Sequence, residues 1–120
     1  MTSETTLDAL LAAIRQFVAA RDWQQFHSPK NLASAVAVEA GELLGHFRWL
    51  STEESLAVVR DPAKRERIAS EIADVLILTL ELADVVGLDP AEAIRAKIAL
   101  NESRYPVERS RGRHAKYDEL

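Results

Sequence analysis

Three repeated helix-start signals constrain the fold of this 120-residue chain more than any other feature. Each is a serine or an aspartate followed directly by proline, at Ser28 with Pro29, Asp61 with Pro62, and Asp89 with Pro90. A short polar side chain in front of a helix accepts a hydrogen bond from the first turn, and proline suits the first helical position, where no N–H is needed. With the apolar stripe of the N-terminal segment, these signals predict helices over about 6–21, 29–48, 62–86 and 90–105.

Further signals divide the chain between these helices. Ser51 and Glu54 have the spacing of a capping box and predict a short additional helix. Gly87 suits the left-handed position at which the third long helix stops, and Pro106 cannot continue the fourth. We therefore predict one all-α domain over 1–106 and a polar C-terminal tail over 107–120.

The apolar content of the chain predicts a core that one copy cannot complete alone. Hydrophobic residues make up 48% of the sequence, and the second and third long helices are apolar on almost all sides. Such helices are normally buried on several faces. The pattern predicts an all-α four-helix bundle completed by oligomerisation.

Charge and composition narrow the classes of function. The net charge of −4 argues against binding a nucleic acid polymer, which normally needs a basic surface. There is no cysteine and no pattern of a signal peptide at the start of the sequence. The most apolar run, 75–86, contains Glu81 and Asp84 and is too short to span a membrane. We expect a cytoplasmic protein that does not enter membranes.

Two pairs of acids interrupt the two most apolar helices. Glu39 and Glu42 lie three residues apart in the second helix, and Glu71 and Asp74 repeat this spacing in the third. Residues three apart share a helix face, so antiparallel packing would bring four carboxylates together. Clustered carboxylates repel each other unless a cation joins them, and magnesium prefers oxygen ligands. A solvated face is the common alternative for one such pair, but two pairs at core positions favour a metal site.

Two other patterns of polar residues do not fit this metal site. Glu81 and Asp84 form a third pair, but Glu81 lies about 15 Å beyond Glu71 along the helix axis and cannot share its metal. We expect this third pair to face solvent or an interface. A di-iron site is disfavoured because none of the three histidines follows a glutamate by three residues.

The acid pattern resembles that of a known superfamily, the MazG-like all-α nucleoside triphosphate pyrophosphohydrolases. The resemblance is strongest to the dCTP pyrophosphatase branch and runs from about Leu7 to the C-terminus. It is carried by the segments "RDWQQFHSPKNLA", "VEAGELLGHFRW", "EIADVLI", "NESRYP" and "KYDEL", which occur in the same order.

The resemblance implies roles for named residues and an assembly. It makes the four acids magnesium ligands, with manganese as an accepted substitute, and it implies a homotetramer whose sites borrow residues from neighbouring subunits. The residues that match substrate-binding positions are Trp23, His27 and Trp49 around the base, and Lys97 and Asn101 at the triphosphate and sugar. Arg104 and Lys116 could pair with phosphate or be surface charge.

Two positions depart from the branch. Leu78 stands where tyrosine is frequent, and Ile14 stands where animal relatives have histidine. Both positions are near the base site of the family, and neither side chain can donate or accept a hydrogen bond. The departures therefore predict weaker selectivity for cytosine.

The resulting hypothesis is magnesium-dependent hydrolysis of dCTP or a modified dCTP to the monophosphate and pyrophosphate, which would clean the nucleotide pool. Metal held by the acids would neutralise phosphate charge and acidify a water, with Glu39 or Glu42 as catalytic proton acceptor. Two alternatives remain open. One is a different nucleotide preference, such as dUTP, dTTP or damaged nucleotides, and the other is a non-catalytic helical assembly module with a structural metal.

Overall fold

The structure, a computed structural model, describes residues 6–120, and within this range it contains helices and loops but no strand. The helices are α1 (Leu7–Ala20), α2 (Pro29–Gly45), α3 (Thr52–Val58), α4 (Pro62–Val85), α5 (Pro90–Arg104) and α6 (Val107–Ser110), with short 3₁₀ helices at Gln24–Phe26 and Tyr117–Glu119. The predicted all-α class is confirmed. None of the described helices combines the length and apolarity needed to cross a membrane.

The helix-start signals act as predicted. Oxygen atoms of the caps accept backbone hydrogen bonds at 2.9–3.2 Å, Ser28 from Asn31, Asp61 from Lys64, and Asp89 from Ala91. Ser51 and Glu54 form the complete capping box at the start of α3. Gly87 follows the end of α4 with a φ of 77°, a left-handed conformation that glycine adopts without strain.

Helix α2 ends three residues earlier than predicted. Its last residue is Gly45, and tight turns follow, in which the Arg48 N–H donates to the Leu44 carbonyl at 2.8 Å. The chain then reaches Ser51, the N-cap of α3, which has an extended backbone. The turns therefore place Trp49 outside α2.

The chain forms two compact units, which meet in sequence between Gly87 and Leu88. The first holds α1 to α4, where α2 and α1 both pack against α4. Its buried apolar side chains are Leu11 and Val18 from α1, Leu32 from α2 and Ile68 from α4. The second unit holds α5, α6 and the last 3₁₀ helix. The division into a domain over 1–106 and a tail over 107–120 stays a prediction.

The expectation that the third acid pair faces solvent or an interface is wrong for Glu81. Glu81 is only 8% exposed and lies inside the first unit. The 3₁₀ turn before α2 brings His27 to Glu81, with 2.9 Å between Nδ1 and Oε2. Asp84 is half-buried and pairs with Arg15 of α1. Packing of α1 and this turn against the second half of α4 covers the acids.

Candidate active site

Helices α2 and α4 run antiparallel, which is the arrangement that the acid pairs require. His27, just before α2, contacts Glu81 in the second half of α4. His46, just after α2, lies 3.9 Å from Glu71 in the first half of α4. Successive positions along α2 therefore meet earlier positions along α4, and Glu39 and Glu42 come opposite Glu71 and Asp74.

Three of the four predicted acids converge closely. Glu39, Glu42 and Glu71 each offer a carboxylate oxygen within 4.8 Å of those of the other two. Asp74 lies outside this group and is exposed, but its charge still acts on Glu39. Glu39 and Glu71 are half-buried, whereas Glu42 is exposed. The cluster is thus open to solvent on the Glu42 side.

Crowding changes the protonation of the cluster. Partial burial, followed by the hydrogen bond and charge of Glu42, raises the pKa of Glu39 to about 7. Glu71 and Asp74 add to the same effect. Near neutral pH, Glu39 is therefore partly protonated, since like charges at this spacing disfavour full ionisation. A dication bound to these oxygens would displace that proton.

The donor set fits a hard divalent cation. Oε2 of Glu39 and Oε2 of Glu71 are buried and have no hydrogen-bond partner among the described residues. Within residues 6–120, no lysine or arginine forms an ion pair with any of the four acids. Buried carboxylate oxygens without a partner are costly, and magnesium or manganese would satisfy them.

The predicted base-binding residues of the first unit occupy two different environments. Trp23 packs edge-to-face against Phe17 and His27, with ring centroids 5.7 and 6.4 Å away. Trp49 is 81% exposed, and one face of its ring is covered by the Arg48 guanidinium at 4.3 Å. Trp23 is thus partly built into the fold, while Trp49 keeps one ring face free.

The remaining predicted substrate residues belong to the second unit. Lys97 and Asn101 lie one turn apart on α5, with Lys97 exposed and Asn101 half-buried. The Arg104 guanidinium stacks 4.5 Å from the centroid of the Tyr117 ring. Lys116 is exposed next to that ring. The ring contact holds Arg104 against the C-terminal segment.

Sequence reasoning missed a polar group in the first unit, formed by Arg15, His27, Glu81 and Asp84. Nε and Nη2 of Arg15 donate to the two oxygens of Asp84 at 2.9 and 2.6 Å. Hydrogen bonds from Arg15 lower the pKa of Asp84. A usable signal was present, since both acids interrupt the most apolar run of the chain.

Comparison with known proteins identifies the family. The MazG-like family model matches residues 35–120. The chain is 39% identical to bovine (Bos taurus) dCTP pyrophosphatase 1 over 119 residues, which cover 99% of this chain and 70% of that protein. It is 62% identical to a dATP/dGTP diphosphohydrolase of Cyanophage S-2L over 34 residues, 28% of this chain and 32% of that protein.

A solved structure agrees with this result. A pyrophosphatase from Archaeoglobus fulgidus superposes with a TM-score of 0.76 at 40% sequence identity, covering 83% of this chain and 92% of that chain. The family resemblance of the sequence is thereby confirmed by sequence and by fold. The chain belongs to the MazG-like family.

Proposed function

We propose that this MazG-like protein is a nucleoside triphosphate pyrophosphohydrolase that converts dCTP, or a modified dCTP, to the monophosphate and pyrophosphate. The names of its relatives support the reaction class, since they are a dCTP pyrophosphatase, a dATP/dGTP diphosphohydrolase and a pyrophosphatase. The choice of dCTP rests on the relative that matches nearly the whole chain.

One observation carries the proposal. Glu39, Glu42 and Glu71 approach within 4.8 Å from two antiparallel helices, and two of their buried oxygens have no hydrogen-bond partner. A purely structural surface would leave these carboxylates solvated. Acids held together with no lysine or arginine paired to them instead favour a site for a cation and then for a phosphate chain.

The acidic residues would have roles in metal binding and in proton transfer. Glu39, Glu42, Glu71 and Asp74 would hold magnesium, or manganese in its place. When bound, the metal supplies charge neutralisation for phosphate oxygens and lowers the pKa of a coordinated water. Glu42 is the exposed member of the cluster and is therefore better placed than Glu39 to accept a proton from that water.

Other side chains would bind the nucleotide. Trp49 lies beyond the end of α2 that is opposite to His27, so in the proposed homotetramer its free indole face would stack on a base bound by a neighbouring copy. Trp23 packs edge-to-face against His27. Lys97, Asn101, Arg104 and Lys116 stay candidates for the sugar and phosphates, with Lys97 and Lys116 exposed and free of ion pairs to described residues.

Assembly is part of the proposal. Apolar side chains such as Ile72 and Leu76 of α4 and Ile94 and Ile98 of α5 are 43–57% exposed, and another copy of the chain would cover them. We propose a homotetramer. Its role would be removal of excess or modified deoxynucleotides in the cytoplasm before a polymerase uses them.

A nucleotide panel tests the function. The protein is mixed with magnesium and each of dCTP, 5-methyl-dCTP, dUTP, dTTP, dATP and dGTP, and pyrophosphate and monophosphate are measured. We expect equal amounts of dCMP and pyrophosphate from dCTP, and none after chelation by EDTA. Faster hydrolysis of dUTP or dTTP would replace the substrate assignment. Absence of pyrophosphate with every nucleotide would favour the non-catalytic assembly module.

A further inference from the structure

A cavity of about 390 Å³ lies in the first unit, lined by α1, the 3₁₀ turn before α2, and the second half of α4. Its walls are apolar where Leu11, Ile14 and Val18 line it, and polar where His27 and Glu81 line it. This size and composition are typical of pockets for small organic ligands. An apolar slot with a few buried polar groups suits a flat heterocycle.

Glu81 is the unusual group in this wall. No other charged side chain among residues 6–120 is as deeply buried, and its Oε2 lies 2.9 Å from Nδ1 of His27. That contact becomes a hydrogen bond only when a proton sits on one of the two atoms; otherwise Oε2 is a buried oxygen without a partner. Burial raises the pKa of Glu81, and His27 partly opposes this. A proton placed between the two atoms would satisfy Oε2.

The second carboxylate oxygen of Glu81, Oε1, has a defined hydrogen-bonding role. Oε2 faces Nδ1 of His27 at 2.9 Å, so a proton on either of these two atoms leaves Oε1 as a hydrogen-bond acceptor. No described residue donates to it, because Arg15, the neighbouring cation in the same wall, already donates to both oxygens of Asp84. The cavity therefore presents Oε1 of Glu81 as a buried acceptor, next to the apolar walls and near the Gln24 side chain.

The position of the cavity relative to the acid cluster matches a nucleotide. Glu81 follows Glu71 by ten residues on α4, about 15 Å along the helix axis. Glu81 belongs to the cavity and Glu71 to the acid cluster. This span is comparable with an extended nucleoside triphosphate, so phosphates at the cluster would leave the base near the cavity.

We propose that Glu81, with its polarity set by His27, is the specificity-determining residue that selects bases carrying an exocyclic amino group, and this inference rests on the proposed function. The amino group of cytosine, or of adenine, donates to Oε1. Uracil and hypoxanthine present a carbonyl oxygen at the same place, so two acceptors would face each other unpaired. An unpaired buried polar group is costly, and each 1.4 kcal/mol lost is about tenfold in affinity.

Glu81 thus supplies the polar contact that Ile14 and Leu78 cannot. Ile14 lines the cavity, but its side chain has no hydrogen-bonding group. The weaker cytosine selectivity expected from those two positions is countered by an acid further along α4. The amino-group preference is shared by cytosine and adenine, and the experiment separates the two.

The test compares pairs of nucleotides in which one base carries an amino group and the other carries a carbonyl oxygen at the same position. Equilibrium binding of the α,β-imido analogues of dCTP and dUTP is measured with magnesium, and dATP with dITP forms a second pair. For wild type we expect dCTP to bind at least about tenfold more tightly than dUTP. Glu81→Gln preserves the size of the side chain, and its amide N–H can turn towards a carbonyl oxygen of the base. We therefore expect the affinity ratio of dCTP to dUTP to fall to about threefold or less in this variant.

The matched control is Glu66→Gln, which removes one carboxylate from an exposed position of the same helix. It should keep the wild-type ratio. A preference confined to dATP over dITP would support the amino-group selection and assign adenine as the base. The inference is overturned if Glu81→Gln keeps the wild-type ratios, or if wild type itself binds both members of each pair within threefold.

Failure of the selection by Glu81 can be distinguished from failure of the proposed hydrolysis. If wild type prefers the amino nucleotides but releases no pyrophosphate from dCTP or dATP, hydrolysis is refuted while the selection by Glu81 stands. If pyrophosphate is released from dCTP and dUTP at equal rates with equal binding, the reaction stands and the selection is refuted.

Discussion

At the scale of single residues, the acid cluster decides whether the protein can work. Glu42→Gln and Asp74→Asn each remove one carboxylate that the proposed metal site needs. We expect pyrophosphate release to fall by roughly 100-fold or more, because even outer partners of metal ligands contribute 10- to 100-fold. Steady-state assays with dCTP and magnesium measure this, with Glu66→Gln as the control that keeps wild-type activity.

A second measurement on the same variants does not depend on catalysis. Magnesium should raise the melting temperature of wild type by mass action and raise that of Glu42→Gln much less. Without metal, the variant should be as stable as wild type or more so, because one repelling charge near Glu39 is gone. Wild-type turnover by Glu42→Gln would refute the metal assignment.

The ion pair between Arg15 and Asp84 sets a pH dependence of stability. Arg15 lowers the pKa of Asp84 below its ordinary value of 3.8, so the folded state favours the ionised acid. The stabilisation is fully present above about pH 4 and is lost as the pH falls through the lowered pKa. The Arg15 side chain is 57% exposed, so screening by solvent keeps the contribution small.

Urea unfolding of wild type and Asp84→Asn at pH 7 and pH 2.5 measures this contribution. We expect wild type to be the more stable at pH 7 and the difference to shrink at pH 2.5. Arg15→Gln should lose the same pH-dependent stability. A difference that grows as the pH falls would contradict the ion-pair account.

At the scale of secondary-structure elements, α4 has the largest influence on the site. It presents Glu71 to the cluster, Asp74 to the edge of the cluster and Glu81 to the cavity. Its start is set by Asp61, whose carboxylate accepts from the Lys64 N–H at 3.0 Å. Asp61→Ala should lower the free energy of unfolding by about 0.5–2 kcal/mol. Chemical denaturation measures it.

Asp61→Asn is the matched control, because asparagine also accepts this hydrogen bond. It should retain most of the wild-type stability. An Asn variant as unstable as the Ala variant would mean that charge, rather than capping, is what Asp61 contributes at the start of α4.

At the scale of the whole molecule, the exposed apolar surface predicts assembly. Leu76 and Ile72 of α4 are 57% and 43% exposed, and a second copy would remove them from water. Light scattering at micromolar concentration should report about four times the 13.3 kDa mass of the chain. A stable monomer would contradict the tetramer.

The sequence by itself determined helices α1 to α5 and their order, but it did not predict α6 or the two 3₁₀ helices. The start and stop signals of the helices act within a few residues, so the sequence predicts them directly. These signals are the capping serines and aspartates, the prolines at first helical positions and the stop at Gly87. The same holds for the acid pairs, because a spacing of three places two side chains on one helix face. The end of α2 was missed because the turns at 46–50 depend on how α3 begins.

Only the tertiary structure decided which of the acids are buried and which residues they contact. Glu81 and Glu66 lie on the same helix, yet one is buried against His27 and the other is exposed. Helical spacing relates side chains within one helix, but burial depends on which other helices pack there. Likewise, Asp74 shares the face of Glu71 in sequence, but the packing of α2 on α4 draws Glu39 and Glu42 to Glu71 and leaves Asp74 at the edge. Such contacts join residues distant in sequence, and no local pattern encodes them.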